Sequence, residues 1–112
     1  MTSKKSNVSL VDEAEHFATW IEGQPDTRDF CPPPGANYNC HCPIATFLKE
    51  AHGLTTAAVT GSCWAGYADQ MNSEMLPPWA KTFVAIYDKQ PKTCAKTAKE
   101  AMARTKVVHA LH

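Results

Sequence analysis

The spacing of apolar residues predicts two helices in the first half of the chain. Apolar residues recur at helical spacing from about residue 10 to residue 22, and Ser9 precedes them as an N-cap. Gly23 and Pro25 are expected to end this helix. A second apolar stripe begins at Pro43, which suits the first helical position, and ends at Gly53, which is expected to be the C-cap. Both stripes predict amphipathic helices with one buried face.

The second half of the chain predicts a small sheet followed by two more helices. Residues 54–61 are rich in Thr, Val and Ala, which favours a strand, and a second strand is expected within residues 62–67. The pattern of residues 68–76 favours no single element. Two consecutive prolines open a third helix at residues 77 and 78, and a fourth helix is expected over about 93–106.

Together these elements predict an α+β fold with about four helices packed on a two- or three-stranded antiparallel sheet. Residues 1–8 are polar and read as a flexible tail, so the single globular domain is expected to cover residues 9–112. No apolar run reaches the roughly 20 residues that cross a bilayer. The N-terminus also lacks the apolar stretch of a secretion signal. These features predict a soluble, cytoplasmic protein without a membrane partner.

The cysteines raise three chemical possibilities. The chain has five cysteines, Cys31, Cys40, Cys42, Cys63 and Cys94. An odd number of cysteines in a sequence without a secretion signal argues against a disulfide framework. They could serve as core packing, as metal ligands or as nucleophiles. Free cysteines are among the most buried residue types, so inert packing is the preferred interpretation. Neither a catalytic residue nor a cofactor is therefore predicted.

A zinc site is the first alternative. Nitrogen and sulfur ligands for a tetrahedral ion are offered by Cys31, Cys40, His41 and Cys42. The Cys-x-Cys spacing does occur in metal sites, but the second pair of ligands typical of zinc modules is missing from the sequence. A zinc-stabilised interaction module therefore stays open as an alternative.

A hydrolase is the second alternative. The segment Asn39–Gly53 places a cysteine just before an amphipathic helix, and in this it resembles the nucleophile helix of papain-like folds, notably the NlpC/P60 peptidases. The resemblance implies Cys40 or Cys42 as the nucleophile of a cysteine-dependent hydrolase. In that family a later histidine on a strand is the base. Here the later histidines, His109 and His112, follow a helix at the C-terminus, which does not match the family's pattern.

Charge is balanced overall but unevenly spread. Six acids and one base lie between Asp12 and Asp29, whereas seven bases and two acids lie between Lys81 and Lys106. On a helical wheel four lysines share about one quarter of the circumference: Lys92, Lys96, Lys99 and Lys106. Such a stripe suits an acidic protein surface or phosphate groups. No aromatic residue interleaves with the lysines, so direct nucleic-acid binding is not favoured.

Large aromatic residues near turns are candidates for contacts with a partner. Trp64 and Tyr67 lie in such a region, and Trp64 is expected to be an exposed anchor. Trp20 and Trp79 fit helix faces, so packing in the core is predicted for both.

A resemblance connects these observations to a class of proteins. Residues 42–53, followed by a Thr/Val strand and a helix start at Leu76–Trp79, resemble small proteins carried by phages and prophages. Such proteins are often accessory factors, including inhibitors of host defence such as anti-CRISPR proteins. The resemblance implies a non-enzymatic, phage-type inhibitor acting by steric and electrostatic occlusion on a host protein or nucleoprotein complex. The oligomeric state of the protein stays open. The residues expected to contact the partner are Trp64, Tyr67 and the four lysines.

Overall fold

The elements follow the predicted order, with one additional strand. The computed structural model describes residues 8–30, 42–68, 70–90 and 94–110. The elements are α1 (Ala14–Glu22), α2 (Pro43–His52), β1 (Thr56–Val59), β2 (Cys63–Tyr67), β3 (Met71–Met75), α3 (Pro78–Asp88) and α4 (Ala95–His109). The strands form an antiparallel sheet in the order β1-β2-β3. The predicted α+β class, with four helices and a small antiparallel sheet, is confirmed. Most of the predicted tail, residues 1–7, lies outside the described residues.

Helix α1 begins at Ala14 rather than near residue 10. The Ser9 hydroxyl donates to Oε2 of Glu74 at 2.6 Å, and the Leu10 N–H donates to Oε1 of the same carboxylate at 2.9 Å. The Glu13 N–H then donates to the Leu10 carbonyl at 3.1 Å and closes a turn. The prediction that Ser9 caps the helix is wrong, because its hydroxyl binds strand β3 instead.

Helix α2 agrees with the prediction at both ends. Pro43 occupies the first helical position, and the Sγ of the N-cap residue Cys42 accepts a hydrogen bond from the Ala45 N–H at 3.4 Å. Gly53 follows the helix with a φ of 75°, a left-handed conformation that glycine adopts without steric cost. The turn at Gly53 leaves His52 as the last residue of the helix.

The register of the sheet separates an inner and an outer face. Trp64 on the central strand pairs with Val59 on β1 and Glu74 on β3, while Tyr67 pairs with Thr56 and Met71. Because successive side chains of a strand point to opposite faces, the first set points inward and the second outward. The burial of the strand residues follows the same alternation.

The core lies between the inner face of the sheet and the helices. Phe17 of α1 is fully buried, and its ring centroid lies 5.2 Å from that of Phe47 and 5.0 Å from that of Phe83. The predicted core position of Trp79 is confirmed, since it is buried and its Nε1 donates to the Leu10 carbonyl at 2.8 Å. Trp20 is partly buried and packs at the edge of this core.

The last helix, α4, extends to His109 and is longer than predicted. It contacts α1 and α3 and buries small side chains, among them Ala95, Ala98 and Ala101. Within the described ranges, α4 included, every helix is too short or too polar to cross a bilayer.

Candidate interaction surface

Three large apolar side chains are exposed together on the outer side of the sheet. Tyr67 is 45% exposed, Met71 65% and Met75 64%. Tyr67 pairs directly with Met71, and Met75 pairs with Cys63 at the other end of the same two strands. We define the outward sheet face by the eight residues that share this orientation: Thr56, Ala58, Cys63, Ala65, Tyr67, Met71, Ser73 and Met75. None of these eight described residues carries a charge.

The side chains around the three exposed ones are small. Ala58 pairs with Ala65, and Ala65 pairs with Ser73. The side chains in the middle of the face therefore project less far from the sheet than those of Tyr67, Met71 and Met75. A shallow open depression lies there, with Thr56 and Met71 among its lining residues. Methionine is flexible and polarisable and adapts to irregular apolar surfaces. The depression is therefore bordered by one flexible apolar side chain, Met71, and otherwise by small residues.

Trp64 does not belong to this surface, and the prediction that it is an exposed anchor is wrong. Its side chain is 1% exposed, and its Nε1 donates to Oε1 of Glu74 at 2.9 Å. Trp64 and Tyr67 are three residues apart, and an odd separation in one strand places two side chains on opposite faces. That parity was the sequence signal that both residues could not be surface anchors.

Glu74 fixes Trp64 and the N-terminal segment to the inner face of the sheet. Its carboxylate accepts hydrogen bonds from the Ser9 hydroxyl, the Leu10 N–H and the Trp64 indole. Burial opposes ionisation of this carboxyl, but the three hydrogen bonds outweigh it, so the pKa of Glu74 lies below its usual range. Sequence reasoning did not single out Glu74, because its partners lie more than 60 residues away or on the neighbouring strand.

The predicted lysine stripe is partly neutralised. Lys96 is exposed and Lys106 half-buried, whereas Lys92 lies outside the described residues. Nζ of Lys99 donates to Oδ1 of Asp26 at 2.7 Å. This hydrogen bond, together with the charges of Lys99 and Lys96, holds the pKa of Asp26 below its usual range. The acidic segment before residue 30 therefore contacts the basic helix, which reduces the charge separation expected from the sequence.

Cys42 lacks the properties of a nucleophile. Its side chain is 5% exposed, and burial raises the pKa of its thiol to about 11, although N–H groups at the start of α2 favour the thiolate. The thiol is therefore protonated at neutral pH, and the thiolate is the reactive form. The remaining residues of the alternative zinc and hydrolase sites, Cys31, Cys40 and His41, lie outside the described residues.

A cluster of two histidines and a glutamate, which sequence reasoning missed, lies where α1 begins and α2 ends. Nδ1 of His16 and Nε2 of His52 lie 2.7 Å and 2.9 Å from the same Oε1 of Glu13. The Glu13-x-x-His16 spacing, which places two side chains on one side of a helix turn, was the local signal for part of it. The contribution of His52 depends on how two separate helices pack.

The chain was also compared with known proteins. No protein-family model, curated protein or solved structure matched it.

Proposed function

We propose that this chain is a small non-enzymatic binding protein whose outward sheet face contacts an apolar surface of a partner protein. The observation that carries the proposal is the exposure of Tyr67, Met71 and Met75 on one face of two paired strands. Exposed apolar groups that share one face mark interaction sites more often than singly exposed ones do. Tyrosine and methionine are also enriched at the centres of protein interfaces.

The absence of charge on the outward sheet face supports a protein as the partner. Nucleic-acid binding depends mainly on lysine and arginine contacts to phosphates. The eight residues of the face include no such side chain, and only Thr56, Ser73, Tyr67 and Cys63 can form hydrogen bonds there through their side chains. An apolar, largely uncharged protein surface complements this face best.

A finer proposal follows from the resemblance of residues 42–53 to phage accessory proteins. In this proposal the chain covers a functional site on a host defence protein or nucleoprotein complex and inhibits it sterically. Lys96 and Lys106 on α4 would add electrostatic contacts at the edge of such a complex. The main contribution is expected from the apolar sheet face, because Lys99 already pairs with Asp26.

Capture from a bacterial lysate with two matched variants tests the proposal. The double variant Met71→Gln/Met75→Gln keeps the length of the exposed side chains and removes their apolar character. Lys96→Glu reverses a charge on the lysine stripe. We expect a protein that the wild type and Lys96→Glu retain, even in added salt, and that the double variant loses, because salt screens charge contacts and not apolar ones.

Two outcomes would contradict the proposal. One is capture that survives the double substitution and disappears with Lys96→Glu or in added salt. The other is a dimer of the purified protein, detected by sedimentation before the capture experiment, that dissociates in the double variant. Such a dimer would assign the outward sheet face to a second copy of this chain.

A further inference from the structure

A second site lies apart from the outward sheet face. We infer that Glu13, His16 and His52 bind a divalent transition-metal ion, with Zn²⁺ as the best-matched ion, where α1 begins and α2 ends. This inference is independent of the proposed partner surface, because it uses different elements and different chemistry.

The geometry of the three ligand atoms fits a single ion. One carboxylate oxygen of Glu13 and one ring nitrogen from each of His16 and His52 lie within 4.8 Å of one another. Ligand atoms on a tetrahedral zinc ion, at about 2.0–2.2 Å from the metal, are about 3.3 Å apart. The two Glu–His contacts of 2.7 Å and 2.9 Å therefore need to open by about 0.5 Å, and the two histidine nitrogens, at most 4.8 Å apart, need to approach by at most about 1.5 Å. Side-chain rotation at a partly exposed site supplies such a movement.

The donor set is one that zinc accepts. Two imidazole nitrogens and one carboxylate oxygen occur together in known zinc sites, with a water molecule in the fourth position. Imidazole also suits copper and nickel, whereas an ion such as Mg²⁺ prefers oxygen ligands alone. Metal binding would replace the hydrogen bonds that the two imidazoles make with Glu13.

The core residue Phe47 orients both imidazoles. Its fully buried ring lies 5.0 Å from the His16 ring at an angle of 82° and 5.3 Å from the His52 ring at 88°. Both imidazoles are thus packed edge-to-face against one rigid side chain. Gly53 ends α2 immediately after His52 and fixes the backbone there. Ligands held in orientation by packing lose less freedom when an ion binds.

The site is also accessible to an ion from solvent. The side chain of His16 is 51% exposed, whereas those of Glu13 and His52 are 23% and 21% exposed. An ion can therefore approach past His16 and reach the two better-buried ligands. Once bound, it would connect the start of α1 to the end of α2 and is expected to raise the melting temperature of the protein.

Metal titration of the full-length, chelator-treated protein tests the inference. Zn²⁺ binding is measured by calorimetry for the wild type and for Glu13→Gln, His16→Gln and His52→Gln. His109→Gln is the matched control, because His109 hydrogen-bonds Thr82 near the end of α4 and lies outside the cluster. We expect one zinc equivalent for the wild type and the control, and affinity at least about tenfold weaker in each cluster variant.

Co²⁺ in place of Zn²⁺ separates this site from the cysteine alternative. A nitrogen and oxygen site gives weak visible bands, whereas thiolate ligands add an intense near-ultraviolet charge-transfer band. We expect only the weak bands, and we expect them to disappear in His52→Gln. Circular dichroism of each variant without metal distinguishes loss of a ligand from loss of fold, and His16→Gln is the substitution least expected to disturb packing.

Three results would overturn the inference. Equal zinc affinity in the wild type and all three cluster variants would exclude the cluster as the site. A thiolate band that survives His52→Gln would assign the metal to the cysteines. No saturable binding at all would show that the cluster is a hydrogen-bonded network only.

Discussion

The inner and outer faces of the β2–β3 pair differ in what surrounds their side chains. On the inner face Trp64 is 1% exposed and its indole donates to the cross-strand carboxylate of Glu74. On the outer face the cross-strand pair of Tyr67 and Met71 is 45% and 65% exposed. One backbone ladder thus presents a packed face and an open face, with residues that alternate along each strand. Substitutions on the inner face are expected to change folding, and substitutions on the outer face to change partner binding.

Trp64→Ala gives the largest expected difference between the faces. It removes a fully buried indole and leaves both a cavity and a carboxylate that has lost a donor. We expect the free energy of unfolding to fall by about 3–5 kcal/mol. The measurement is urea-induced unfolding, monitored by circular dichroism.

The matched control is Tyr67→Ala, on the same strand and the opposite face. It removes only cross-strand contacts with Thr56 and Met71 on the exposed face, so its cost is expected to stay below about 1 kcal/mol. Equal losses in the two variants would mean that the two faces do not differ as described.

Glu74→Gln tests the hydrogen bonds that hold the inner face. The substitution keeps the size of the side chain but removes the charge that strengthens three accepted hydrogen bonds. Hydrogen bonds to a charged group contribute about 1.5–3 kcal/mol, and we expect a loss within that range. The measurement is the shift of the urea midpoint at neutral pH.

The same variant has a signature in acid. The native pKa of Glu74 is lowered, so its contribution to stability is complete above the unfolded value of about 4.3. That contribution is lost as the pH falls through the native pKa. The stability of the wild type should therefore fall more steeply below about pH 4.3 than that of Glu74→Gln.

The control is Glu22→Gln, at an exposed position that ends α1, and its stability in acid should follow that of the wild type. Parallel acid curves for the wild type and Glu74→Gln would exclude a stabilising role of the ionised Glu74 carboxylate.

The helices could be predicted because their signals are local. Pro43 and Gly53 mark the two ends of α2 within the helix's own sequence, and the structure places them there. Strand β3 reads Met-Asn-Ser-Glu-Met, and Asn and Glu are depleted in strands. It forms a strand because β2 lies beside it and because Glu74 binds Ser9 and Leu10, which are distant in sequence. No window of the sequence contains that information.

Each of the two candidate sites likewise has a part that could be predicted from the local sequence and a part that depends on tertiary packing. The exposure of Tyr67 agrees with the local expectation, but its neighbours Met71 and Met75 were missed together with β3. The cluster of Glu13, His16 and His52 depends on the packing of two helices against Phe47. A sequence can present the ligand types, but the distance between them is set only when the helices pack.

Gly66→Ala has a smaller expected effect than Trp64→Ala and Glu74→Gln and tests how closely the inner face is packed. Gly66 neighbours Trp64 on the inner side of β2, where an added Cβ would lie 2.8 Å from both Cδ1 of Leu54 and the carbonyl oxygen of Thr56. The Leu54 methyl can rotate away, but the Thr56 carbonyl belongs to the backbone of β1. Overpacking costs about 1–3 kcal/mol, and alanine recovers about 0.4–1 kcal/mol by restricting the unfolded chain, so we expect a net loss of about 1 kcal/mol in urea unfolding.

Gly61→Ala is the control for that substitution, because a Cβ at residue 61 meets no atom within 4 Å. It carries the same effect on the unfolded chain without the clash, and should be neutral or slightly stabilising. The difference between the two variants therefore isolates the close approach of β1 to β2. If Gly66→Ala were as stable as Gly61→Ala, the inner face would have free space beside Trp64. The contrast between the faces would then depend on the Trp64–Glu74 hydrogen bond rather than on packing.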